Sequence, residues 1–205
     1  MRLEARHENE DIEMTFFTAD HHFGHANVIK HCNRPFSSVE EMDNKLIQNW
    51  NSVVKPDDEI FILGDFTMRY ATDAHKYLSQ LSGRKFFIKG NHDKFLKGDS
   101  FKPYEYHFEW IKDYHVHFIN KRRFVLFHYP IAEWDQYFRN SIHLYGHVHN
   151  SETSGKRLKF LESDHAFNVG VDVNNFFPVS VDEILTKANV KKKDENKRNK
   201  NSERI

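Results

Sequence analysis

Five times along this chain a run of strand-forming residues ends in a cluster of carboxylate, imidazole or amide side chains. Met14-Thr15-Phe16-Phe17 leads into Thr18-Ala19-Asp20-His21-His22, and Glu59-Ile60-Phe61-Ile62-Leu63 ends at Gly64-Asp65. Arg84 to Lys89 ends at Gly90-Asn91-His92-Asp93, Phe124-Val125-Leu126-Phe127 runs into His128, and Ile142 to Tyr145 ends at Gly146-His147-Val148-His149. Short continuous apolar runs fit strands covered on both faces. In open α/β sheets ligands gather where such strands end. A chain built this way is constrained to bring its polar clusters to one sheet edge.

Between these runs the pattern is helical. Ser38 with Glu41 reads as a cap for a helix carrying Met42, Leu46, Trp50 and Val53, and residues 72–82 present Ala74, Tyr77, Leu78 and Leu81 on one side. The first half is therefore β-α-β-α-β. In the second half, strands at residues 114–119 and 124–127 flank a hairpin turn at Asn120-Lys121-Arg122-Arg123. Further strands are expected at residues 157–161 and 166–171, then a helix over 181–190 capped by Ser180 and Glu183. Residues 95–112 are the least readable and are expected to form a rim of the site. Residues 1–13 read as a loose leader, 14–190 as one domain and 191–205 as a disordered charged tail.

At 205 residues one core is sustainable, and 19 Phe and 8 Tyr supply its apolar surface. Zero formal charge gives no general case for nucleic acid or acidic membranes. The tail's seven Lys/Arg against three Asp/Glu is the one feature favouring nucleic acid. No apolar run approaches a membrane span, and no secretory segment is visible near Met1. The single Cys32 excludes an internal disulfide and a multi-thiolate metal site, so a cytoplasmic location is expected.

Taken in series, D-x-H, G-D, G-N-H-D, a lone H and G-H-x-H over residues 15–150 resemble the calcineurin-like metallophosphoesterases. The HFGH block at residues 22–25 and NVGVDV at residues 168–173 resemble a small bacterial and phage-type branch. The resemblance implies a four-layer α-β-β-α sandwich and two divalent metal ions, Mn²⁺ first, with Fe, Ni²⁺ or Zn²⁺ as alternatives. It implies that Asp20, His22 and His149 hold one ion, that Asn91, His128 and His147 hold the other, and that Asp65 bridges them. Carboxylate and imidazole donors suit such ions independently of the resemblance. The implied reaction is phosphodiester or phosphomonoester hydrolysis by in-line attack of a metal-bridging hydroxide. His92 matches the family's position near the leaving group, with Asp93 orienting or supporting its imidazole.

Other residues carry two readings each. His25 lines the pocket or is structural, and Asn27 and Arg34 reach a substrate phosphate unless Arg34 pins its loop beside Pro35. Trp134 and Arg139 stack on a base or grip a phosphate, or else pack the sandwich edge. His21 is expected to turn away and bond nearby. The substrate class expected is small, phosphorylated and nucleotide-like. A catalytically silent scaffold is the alternative from another class, and a nuclease using the basic tail is a third.

Overall fold

The computed structural model describes residues 13–150 and 165–188. The expected leader and tail, and the strand at residues 157–161, lie outside them, apart from Glu13. The elements in order are β1 (Thr15–Thr18), α1 (Ala26–His31), α2 (Val39–Val53), β2 (Glu59–Leu63), α3 (Ala71–Leu78), β3 (Arg84–Ile88), β4 (Phe108–Lys112), β5 (Tyr114–Ile119), β6 (Arg122–Phe127), β7 (Ile142–Tyr145), β8 (Ala166–Asn168) and β9 (Val179–Ser180). Residues 181–188 are helical.

Two mixed sheets define an α/β protein. The first runs β4-β3-β2-β1-β9, parallel except for β9, and the second runs β5-β6-β7-β8 with β5 antiparallel to its neighbour. Alternation along each strand splits the apolar residues between two layers. Phe17, Phe61, Leu63, Phe86 and Ile88 meet Phe124, Leu126, Ile142 and Leu144 between the sheets. Phe16, Ile60, Ile62 and Phe87 turn outward against Met42, Leu46 and Trp50 of α2 and Ala74 and Leu78 of α3. Val125 and Ala166 face out on the second sheet beneath Trp134. The inter-sheet core is aromatic, with Phe17 stacked between Phe61 at 5.4 Å and Phe124 at 5.8 Å.

The caps behave largely as expected. Ser38 Oγ accepts the Glu41 N–H, but the Glu41 carboxylate takes its return bond from Ser37 rather than Ser38. At Ser180 the capping box with Glu183 is reciprocal. Residues 95–112, expected as a rim of the site, hold two 3-10 turns and then β4, which pairs with β3 as an edge strand of the first sheet, and Leu96 and Lys97 line a cleft with Gly90, Asp93 and Tyr129. Helix α1 was not expected, because six residues carry too little periodicity to show it. No helix among the described residues is long and apolar enough to cross a membrane.

Fully buried His143 sets a pH limit on this fold. Burial pulls its pKa down to about 4, against weaker opposing bonds to backbone carbonyls such as that of Val125. Because the folded value is depressed below the unfolded 6.5, its contribution is intact above pH 6.5 and is lost as pH falls toward 4. A His143→Leu variant should therefore escape about 2 kcal/mol of the stability loss that wild type suffers between pH 6.5 and pH 5. Urea unfolding at the two pH values measures this. Identical losses in both proteins would refute it.

Candidate metal centre

All five polar clusters converge at one edge, where backbone bonds lace the strand-end loops together. Asp20 N–H donates to Gly64 C=O at 3.0 Å, His22 N–H to Asp65 C=O at 3.0 Å, and Gly146 N–H to His128 C=O at 2.9 Å. This lacing forces an unusual backbone. Asp20, His22, Asp65, His147 and His149 have φ of 61°, 54°, 53°, 70° and 48°. Non-glycine residues seldom enter the left-handed region, and when they cluster there the site is usually functional. Gly90 and Gly146 are not needed for positive φ, which neither has. They leave room for carboxylates. A Cβ on Gly146 would lie 2.5 Å from Asp20 Oδ2, and one on Gly90 would run into Asp65 Oδ1.

Two donor groups result. Asp20, His22 and His149 present ligand atoms within 4.8 Å of one another, and so do Asp65, His128 and His147. Asp65 Oδ2 lies between the two groups, 3.7 Å from His22 Nε2 and 3.4 Å from His128 Nε2. Asn91 Oδ1 is 3.1 Å from His128 Nε2. Bonds on the outer side aim the rings. His128 Nδ1 contacts Leu63 C=O at 2.7 Å and His149 Nδ1 contacts Asp172 Oδ2 at 2.7 Å, which leaves each ring's other nitrogen for the site. Both ring nitrogens of His22 are buried with no hydrogen-bond partner.

The electrostatics are those of a site short of positive charge. Burial raises Asp20 to about 6 despite the nearby His149 and His128. Burial also pushes Asp65 upward, but the bond and charge of His128, with the His92 N–H and His22, outweigh it and hold Asp65 near 2. Desolvation drops His22 to about 3. His149 is desolvated too, yet its bonds to Asp172 and Cys32 and the Asp20 charge carry it to about 10. A divalent cation would favour both charged carboxylates and neutral imidazoles at once, so this donor set and the orphaned His22 nitrogens fit one.

The remaining predicted residues divide. His92 and His25 line a cleft of about 360 Å³ beside the first donor group, together with Val28, His31, Cys32, Met68 and Asn150. His92 lies 5.5 Å from His22, ring to ring, and its N–H donates to Asp65 Oδ1 at 2.8 Å. His21 turns away as expected, with Nε2 3.1 Å from Thr18 Oγ1 and its ring stacked on Phe23.

Asp93 does not orient His92. Its buried carboxylate accepts from the N–H groups of Asp65, Phe66 and Gly90, tying the second and third strand-end loops together. Arg34 does not reach out to substrate: it is buried, gives a two-bond fork to Asp172, and donates to the carbonyls of Asp20 and His21. The loop-pinning alternative is the one that holds. Trp134 is also buried, donating to Ser141 Oγ, and so packs the sandwich edge. Asn27 is exposed on α1 and does not line the cleft. Arg139 lies near the start of β7, at the opposite edge of the second sheet.

Sequence reasoning gave no role to Asp172, which links Arg34 to His149. Its place in Asn168-Val169-Gly170-Val171-Asp172-Val173 was the available signal, since Val171 N–H bonds Ala19 C=O and Gly170 packs on Asp20.

The fold and site thus define an α/β protein with two carboxylate–imidazole groups joined through one aspartate. The chain is 39% identical over 173 residues to uncharacterized protein MJ1445 of Methanocaldococcus jannaschii, covering 83% of this chain and 88% of that one, and belongs to its family. Over 82 residues it is 40% identical to the gene 66 protein of Mycobacterium phage L5, covering 38% and 39% of the two chains. The crystal structure of AQ665 of Aquifex aeolicus, a protein of unknown function, matches 85% of this chain and 98% of that one with a TM-score of 0.64 and 27% identity. No family model matches the chain.

Removing Arg34 strands the buried Asp172 carboxylate. Arg34→Ala should cost about 3–5 kcal/mol in urea unfolding, and Arg34→Ala/Asp172→Asn should recover part of it. A loss below about 1 kcal/mol for the single variant would contradict the pinning role.

Proposed function

We propose that this protein is a metal-dependent phosphoesterase of the calcineurin-like type, hydrolysing a phosphodiester or phosphomonoester of nucleotide character. The observation that carries this reading is Asp65 Oδ2, set 3.7 Å from His22 and 3.4 Å from His128, with a donor group on either side. In this reading the two sheets and their outer layers are that family's four-layer sandwich. The single free thiol suits a reducing, cytoplasmic compartment.

Asp20, His22 and His149 would hold one divalent cation, Asn91, His128 and His147 a second, and Asp65 both. Such a pair supplies Lewis acidity to the phosphoryl oxygens and lowers the pKa of nearby water. The chain's own residues do the rest. Left-handed backbone at five of the seven fixes their carboxylates and imidazoles before substrate arrives. His92, on the cleft wall, donates a ring proton to the oxygen that leaves as its bond to phosphorus breaks. Val28 and Met68, rimmed by His25 and His31, give a planar base an apolar surface.

Hydrolysis of bis(p-nitrophenyl) phosphate with Mn²⁺, abolished by EDTA and restored by metal, tests the class. Asp65→Ala should lose both bound metal and at least about a thousandfold in kcat/KM; full activity in that variant would refute the bridge. His92→Ala should keep its metal and lose rate most with poor leaving groups. An equal loss across leaving groups would remove the proton-donor role.

A further inference from the structure

A second cleft, of about 450 Å³, lies at the other end of the second sheet. It is walled by the β5–β6 turn and by the segment leading into β7, including Lys121, Arg122, Arg123, Arg139 and Phe118. Arg122 opens β6 whereas His128 follows its end, so the six-residue strand separates this cleft from the metal centre by about 20 Å.

The charges here are unbalanced. Arg123 is neutralised by Asp135 at 2.5 Å and lies 5.0 Å above the Phe118 ring. Lys121, Arg122 and Arg139 make no ion pair among the described residues. Three cations with no ion pair among the described residues repel each other around one concavity and raise the local potential, which an anion would relieve. Their setting is also unfavourable on its own terms. Lys121, at φ 64°, fills a turn position where Gly or Asn is the easy choice, and a lysine there keeps its charge at the rim. Phe118 is 59% exposed despite the guanidinium on its ring, so a large aromatic surface stands open beside these cations.

We propose that this cleft is a binding site for a nucleotide carrying several negative charges, separate from the metal centre. Arg122, Arg139 and Lys121 take the phosphates, with the guanidiniums able to fork two oxygens each, and Phe118 offers its ring to the base. The cavity holds about one nucleotide. A free nucleoside triphosphate and one unit of a single strand share this chemistry. The site does not depend on the phosphoesterase reading.

Fluorescence anisotropy of the full chain in EDTA, at low salt, tests it with two probes: a labelled ATP analogue and a labelled ten-nucleotide oligo(dT). Removing metal silences the other centre. Arg122→Ala/Arg139→Ala should weaken binding at least tenfold, while Lys76→Ala/Lys94→Ala, with the same loss of charge elsewhere, should leave it within twofold. Tight binding of the ATP analogue identifies a free nucleotide; tighter binding of oligo(dT) with a steep salt dependence identifies a strand. No submillimolar binding of either probe, or equal losses in the two double variants, would overturn the proposal.

Discussion

The candidate centre depends on one carboxylate held where a carboxylate does not relax by itself. Asp65 is buried at the end of β2, in left-handed backbone, with Oδ1 fixed by the His92 N–H and Oδ2 facing both His22 and His128. Gly64 and Gly90 are its consequence. A Cβ on Gly64 would come within 2.6 Å of Gly90 and of His128 Nδ1, and one on Gly90 would fall on Asp65 itself. The loops close this tightly only because three residues at the crossing carry almost no side chain or point it inward. Asp93 then clamps the crossing from behind with bonds to three backbone N–H groups.

A second clamp mirrors the first on the other donor group. Arg34, from the loop after α1, reaches the carbonyls of Asp20 and His21 and forks onto Asp172, which in turn orients His149. Asp93 and Arg34 are thus counterparts: each is buried and each turns its polar atoms to backbone or to a buried partner. Rigid support of this kind is what a preorganised site requires, and it draws on residues that a motif scan takes for chemistry.

Much of this was legible in the sequence, for a physical reason. A strand buried on both faces is mostly apolar, with exceptions such as His143 in β7 and Lys85 in β3, so a cluster of polar residues marks where the strand stops. Asp20, Asp65, His128 and His147 announced the edge they share. What could not be read was the direction of side chains around them. Asp93 adjoins His92 in sequence but its carboxylate faces Asp65 and Phe66. Trp134 looked available beside the His128 block and is instead buried over Val125. Asp172 was hidden because its partners, Arg34 and His149, lie 138 and 23 residues away. Edge strand β4 escaped notice since Phe108 to Lys112 alternates too weakly to show a period.

The sheets, on the proposed reading, bring six further donors around Asp65 so that two cations would sit within bonding distance of one carboxylate. Electron paramagnetic resonance of the Mn²⁺-loaded protein reads that geometry directly. The account predicts two manganese per chain and the exchange-coupled spectrum of a bridged pair. One isolated Mn²⁺ signal per chain, or two uncoupled ones, would contradict it.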